Sequence, residues 1–127
     1  MEVDICEGTA GAFPESSAVD WNHALKRVGG SKEILREIVQ IFCAVECPKL
    51  MQAVRDSLVD KDAVVLTRAA HSLKNNADLF GAKRAFDAAW TLEKLGGESD
   101  FEGAARTWEI LERELVNTNA AMANFES

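Results

Sequence analysis

Two histidines occur in the chain, and His71 stands in the more reactive setting. Lys74 follows it by three residues and Asn75 by four, so on a helix both lie one turn away on the same side. An exposed imidazole is a nucleophile near neutral pH. An ammonium group beside it is a mobile point charge suited to anionic oxygens. The stretch from Thr67 to Asp87 carries Arg68, Lys74, Lys83 and Arg84 against Asp78 and Asp87, while the chain as a whole is acidic. A local positive field around one imidazole is what an anionic group requires.

Other reactive residues form weaker constellations. Cys43 and Cys47 are four apart and could share a helix face, with His23 as a third metal ligand. Zinc usually takes four ligands, often in closely spaced cysteine pairs, and no second pair exists. The two thiols therefore read as part of an apolar stripe, with no metal site. Ser72 adjoins His71, but neighbouring helix residues point about 100° apart, which excludes a nucleophile–base dyad.

The elements that position His71 are helical. Asp20 is an N-cap for a short helix carrying Trp21, Leu25 and Val28, stopped by Gly29-Gly30. Ser31 caps the next helix, whose apolar positions are Leu35, Ile38, Ile41 or Phe42, Val45, Met51, Val54 and Leu58. Pro48 inside it predicts a kink or a split. After Asp60-Lys61-Asp62, residues Leu66, Ala69, Ala70, Leu73, Ala77 and Phe80 form a narrow stripe ending near Gly81. With Leu66 at the zero of a helical wheel, these residues fall within about 60° of it, whereas His71 falls at about 140°. The spacing therefore places His71 in solvent from the middle of a rigid helix. Val64, Thr67, Arg68, Asn75 and Asp78 share that outward side, and Lys83 follows the turn.

A further helix from about 82 to 95 turns Phe86, Ala89 and Leu92 inward and closes at Gly96-Gly97. Ser99 and Glu102 predict a capping box for the last helix. That helix carries Phe101, Ala104, Trp108, Leu111, Leu115, Thr118 and Met122 at the spacing of an antiparallel seam. Trp90 and Trp108 read as core or rim residues. Short connections imply antiparallel neighbours. The fold expectation is all-α: an antiparallel four-helix bundle with a short additional N-terminal helix. Residues 1–19 read as a flexible tail or linker, 20–123 as the bundle and 124–127 as a second tail. Ile5 and Phe13 of the first tail are candidates to dock on the domain.

Length and composition bound what such a domain does. The 127 residues include 14 basic and 21 acidic side chains, a net charge of −7. That balance disfavours nucleic acid and anionic lipid as general partners. The chain is too short for a kinase fold or a nucleotide-binding sheet plus substrate domain, and no glycine-rich phosphate loop is present. Three cysteines form no disulfide framework, no secretory signal is visible, and apolar runs fall short of a membrane span. The expectation is a cytoplasmic monomer with no membrane attachment. The Phe101–Met122 seam completes the domain's own core; a dimerisation bundle is the competing use of it.

Ala70-His71-Ser72-Leu73-Lys74-Asn75-Asn76-Ala77-Asp78-Leu79-Phe80-Gly81-Ala82 resembles the signature of histidine-containing phosphotransfer (HPt) domains of bacterial two-component phosphorelays. Ala70, His71, Leu73, Lys74, Gly81 and Ala82 match it in type and spacing. Asp20 to Phe42 resembles the family's upstream segment, and Ala89, Leu92, Glu93 and Gly96 resemble a downstream stretch. The resemblance covers about residues 20–122. It implies a phosphorelay intermediate, not an autonomous enzyme, in which Nε2 of His71 carries the phosphoryl group and Lys74 neutralises its oxygens. Gly81 would end the helix and let the next one pack closely. The resemblance also implies receiver domains as partners, which supply the aspartate and Mg²⁺, so the chain needs no cofactor of its own. Val64, Thr67, Arg68, Asn75, Asp78 and Lys83 are the docking candidates. Asn75 stands where the family usually has glycine, and an HPt-like interaction module without phosphotransfer is the alternative that this departure raises.

Overall fold

The computed structural model describes residues 18–123. Among the described residues six α-helices follow one another: α1 (Trp21–Arg27), α2 (Lys32–Ile41), α3 (Cys47–Asp60), α4 (Ala63–Phe80), α5 (Lys83–Gly97) and α6 (Phe101–Ala123). A π turn, Phe42–Glu46, joins α2 to α3. These three run as one helix, so the architecture is the expected four-helix bundle with α1 added. Connections of two, two and three residues link α3 to α4, α4 to α5 and α5 to α6. Such short links force antiparallel packing of successive helices.

Local signals start the helices as expected, with one exception. The Asp20, Ser31 and Asp62 side chains accept from the backbone N–H groups of His23, Ile34 and Val65. Each satisfies one of the orphan donors of a first helical turn. The exception is α6. Asp100, not Ser99, is its cap: Asp100 Oδ1 accepts from Gly103 N at 2.9 Å. Ser99 takes a left-handed conformation at φ 56° and belongs to the turn before it, so the Ser99–Glu102 capping box does not form.

Pro48 neither breaks the second helix nor simply kinks it. Proline has no N–H to donate, and the turn before it widens, with Cys47 N bonding to Phe42 O five residues back. The extra residue shifts the apolar stripe. Val39, Phe42 and Cys47 enter the core, while Ile41 and Val45 are each 54% exposed. The expected inward position of Val45 is thus corrected by the π turn, and Phe42 rather than Ile41 is the buried one of the pair.

The core gathers Leu35, Phe42, Val54, Leu66, Leu73, Phe80, Leu92, Leu111 and Leu115. Phe42 and Phe80 meet with ring centroids 5.2 Å apart. The α6 seam is buried at Ala104, Trp108, Leu111, Leu115, Thr118 and Met122, inside this chain's own bundle. Thr118 fits there because its hydroxyl donates to Glu114 O at 2.8 Å. Val19 is buried as well, so the chain joins the domain before Asp20. Ile5, Cys6, Phe13 and most of the expected N-terminal tail lie outside the described residues, as do residues 124–127.

Candidate functional site

Helix α4 buries Leu66, Ala69, Ala70, Leu73, Ala77 and Phe80, the whole stripe read from the sequence. That fixes its rotation and leaves His71 outside, with 52% of its side chain exposed. The ring is not free to turn. Its Nδ1 lies 2.9 Å from Glu93 Oε2 on α5. The other carboxylate oxygen, Oε1, is sealed from solvent and accepts no aligned hydrogen bond, and the Lys74 ammonium 2.8 Å away serves as its counter-charge. Glu93 therefore bridges the two residues that the sequence singled out. Lys74 holds the Glu93 carboxyl below the usual carboxylate range, partial burial works against this, and the His71 N–H adds to the lowering.

An ionised carboxylate only accepts hydrogen bonds. The proton of a neutral His71 ring must then sit on Nδ1, which leaves the lone pair on Nε2. Among the described residues no hydrogen-bond partner meets Nε2. Asn75 is exposed and makes no hydrogen bond to the ring. The site is thus a nucleophilic nitrogen of set tautomer, at the surface, on a rigid helix.

Gly81 ends α4 at φ 65°, with its N–H and that of Ala82 turned back to Asp78 O and Ala77 O. Its neighbour is not α5, as the sequence led us to expect, but the start of α1. A Cβ on Gly81 would stand 2.6 Å from Asp20 Cβ and 3.2 Å from His23 Cδ2. The close packing of α4 on α5 occurs at Gly96 instead, where a Cβ would meet Thr67 Oγ1 at 2.8 Å.

The remaining docking candidates divide. Val64, Arg68 and Asn75 are exposed on the outward side of α4. Thr67 is half-buried, its hydroxyl donating to Ala63 O at 2.7 Å. Asp78 is exposed but tied to α1, accepting from Arg27 at 2.9 Å through its carboxylate and from His23 Nε2 at 2.8 Å through its carbonyl. Lys83 extends into solvent and reaches Asp87 on its own helix at 3.4 Å.

Three residues at this face were not among the site residues expected from the sequence. Glu93 was visible only as part of a family-like stretch. Of the two positions expected for Trp90, core or rim, it takes the rim, with 51% of its surface exposed. Phe86 packs against the core as expected, half-buried at its edge, and meets Trp90 edge-on at 5.8 Å. Phe86 also lines a shallow cleft of about 240 Å³ with His23, Ala77, Asp78, Gly81, Ala82 and Lys83. Hairpin arithmetic locates all three. His71 and Glu93 each lie eleven residues from Ala82, Lys74 and Trp90 each eight, Asp78 and Phe86 each four. Equal rise along two antiparallel helices sets such pairs side by side.

The cysteines lie elsewhere. Cys47 is buried and Cys43 half-buried against Asn119 and Met122 of α6, and burial pushes both thiols up. His23 is engaged with Asp78, and among the described residues no three or more His, Cys, Asp or Glu side chains converge on one point. No described helix is long and apolar enough to cross a membrane.

A comparison with known families returns the Hpt domain, whose model matches residues 37–124. The chain belongs to the Hpt domain family. Hpt domains are phosphocarriers that work with receiver domains in phosphorelays. No curated protein and no solved structure matched the chain significantly.

Proposed function

We propose that this protein is a phosphorelay intermediate. Nε2 of His71 takes a phosphoryl group from the aspartyl phosphate of one receiver domain and returns it to the aspartate of another. The observation that carries the reading is the His71–Glu93 contact. It holds an exposed ring in the tautomer that leaves Nε2 nucleophilic, without burying that atom.

The chain's own contribution is positioning and charge. Phosphoryl transfer depends mainly on in-line geometry and neutralisation of the phosphoryl oxygens. Helix α4 supplies a fixed origin for the attack. Lys74 supplies the cation, held within reach of the ring by the carboxylate that both share. Among the described residues, the carboxylate that touches the ring is Glu93, already engaged by Lys74 and His71. On this reading Mg²⁺ and the reacting aspartate come from the receiver, and the chain acts as the phosphocarrier between receivers.

Docking uses the surface around His71. Val64, Arg68 and Asn75 on α4 and Trp90 on α5 form its open part, with Phe86 half-buried against Trp90. Asp78 and Lys83 mark its far edge, and Thr67 supports it from beneath. Exposed tryptophan beside a reactive centre is typical of residues that anchor protein interfaces.

The test uses a receiver labelled on its aspartyl phosphate. Wild-type protein acquires the label, and His71→Gln does not. Because His71 is half-exposed, the variant keeps its stability within about 0.5 kcal/mol. Label on the glutamine variant at the wild-type rate would remove His71 from the mechanism.

A further inference from the structure

We propose that Glu93 also sets the lifetime of the phosphorylated state, by retaining the Nδ1 proton of His71 while Nε2 carries the phosphoryl group. This rests on the reading of His71 as phosphoacceptor. It goes beyond orienting the ring, because it concerns the chemistry of the loaded form.

The proton count makes the case. Before transfer the ring is neutral, with hydrogen on Nδ1 and a lone pair on Nε2. Attack forms the Nε2–P bond and breaks the bond between phosphorus and the aspartyl oxygen, whose electron pair stays on the carboxylate. The ring is then a phosphorylated imidazolium, still protonated on Nδ1. Two outcomes are open. Loss of that proton to solvent gives a neutral ring, and breaking the P–N bond must then expel an imidazolate, a poor leaving group. Retention of the proton lets a neutral imidazole depart. An opposite charge within a few ångströms favours the charged form of a titrating group by about 1–3 pH units. Glu93 Oε2 is 2.9 Å from Nδ1. On the return step the incoming carboxylate forms its bond to phosphorus and the P–N electron pair goes back to Nε2. The ring is again neutral with hydrogen on Nδ1, so no proton moves in either direction.

Other charges facing the ring are accounted for. On α4, Lys74 opposes an additional positive charge, but its ammonium lies against Glu93 Oε1, while Oε2 faces Nδ1. Arg68, one turn back, is exposed and therefore screened by solvent. On α5, Glu93 is the group in contact, with the uncharged Trp90 one turn away. The phosphoryl group adds negative charge on the opposite nitrogen, which also favours retention.

Glu93→Gln removes the negative charge that faces both Nδ1 and Lys74, while its amide oxygen still accepts from Nδ1. The full chain is loaded with potassium phosphoramidate, a small phosphoryl donor, and His71→Gln identifies the signal of the loaded residue. Nitrogen-15 spectra of the labelled histidine follow Nδ1 protonation with pH, and phosphorus-31 spectra follow decay. We expect the Nδ1 midpoint of the glutamine variant to fall by about one unit or more. At alkaline pH its phosphoryl group should survive about tenfold longer than in the wild type. Coincident midpoints, or equal decay rates at alkaline pH, overturn the proposal. A merely structural role for Glu93 would move neither midpoint. Phosphoramidate loading does not involve a receiver, so the two proposals fail separately. A protein that loads on His71 with the expected pH shift, yet exchanges nothing with receivers, refutes the proposed function alone. A His71 that phosphoramidate does not load refutes both.

Discussion

Replacing Gly81 by alanine tests whether α4 and α1 depend on one close approach. Two costs arise from the structure. First, the residue sits at φ 65°, in the left-handed region. There an L-residue with a Cβ costs roughly 1–2 kcal/mol. Second, the new Cβ would stand 2.6 Å from Asp20 Cβ, a contact that real structures do not tolerate. Asp20 cannot simply step aside, because its N–H donates to Phe80 O at 2.9 Å and its carboxylate caps α1. Moving it weakens one hydrogen bond and one cap, each worth about 1 kcal/mol. The stiffer unfolded chain returns about 0.5–1 kcal/mol. The net expectation is a loss of about 2–3 kcal/mol, or on the order of 10 °C in Tm for a domain of this size. Urea denaturation measures the total, and amide exchange in α1 shows whether the helix lifts away. Asparagine separates the two costs, because it tolerates the left-handed backbone but keeps the Cβ. Gly81→Asn should therefore recover only part of the loss. An alanine variant as stable as wild type, with α1 equally protected, would refute the reasoning. A fully stable asparagine variant would refute the steric half of it.

Two further outcomes follow from the site. Lys74 and His71 lower the Glu93 carboxyl below its ordinary value of 4.5, so its contribution to stability is present above that pH and is lost as acid titrates the folded form. Denaturation midpoints measured on acidification should fall less steeply in Glu93→Gln than in wild type, and parallel curves would contradict this. Trp90→Ala should cost at most about 1 kcal/mol of stability, mainly its edge contact with Phe86. The same change should weaken receiver docking by about 2 kcal/mol, some thirtyfold in Kd; an unchanged dependence of transfer on receiver concentration would place docking elsewhere.

Much of this domain is legible in its sequence because its strongest signals are local. Asp20, Ser31 and Asp62 cap the helices that follow them within a few residues. The stripe from Leu66 to Phe80 repeats at the helical period, so the outward position of His71 follows from rotation alone. Signals spoil where the backbone leaves that period. Pro48 is visible, but the π turn is one of several ways to accommodate it, and only packing chose Phe42 and Cys47 over Ile41 and Val45. Ser99 and Asp100 both have capping chemistry, and the conformation of the turn decided between them.

Relations between helices are the part that tertiary structure decided. Glu93 is a charged residue on an amphipathic helix, and its spacing within α5 does not mark it as different from Asp87 on the same helix. It becomes part of a site only because the Gly81–Ala82 turn sets α4 and α5 in a register that lays Glu93 beside His71 and Lys74. Gly81 carries a sequence signal for ending a helix, but the demand that no Cβ be present comes from Asp20 and His23, far away along the chain. The residue types and their faces are properties of single helices and can be read from spacing. The partner that fixes the tautomer of His71 is a property of how two helices meet, and a one-dimensional period carries no information about that meeting.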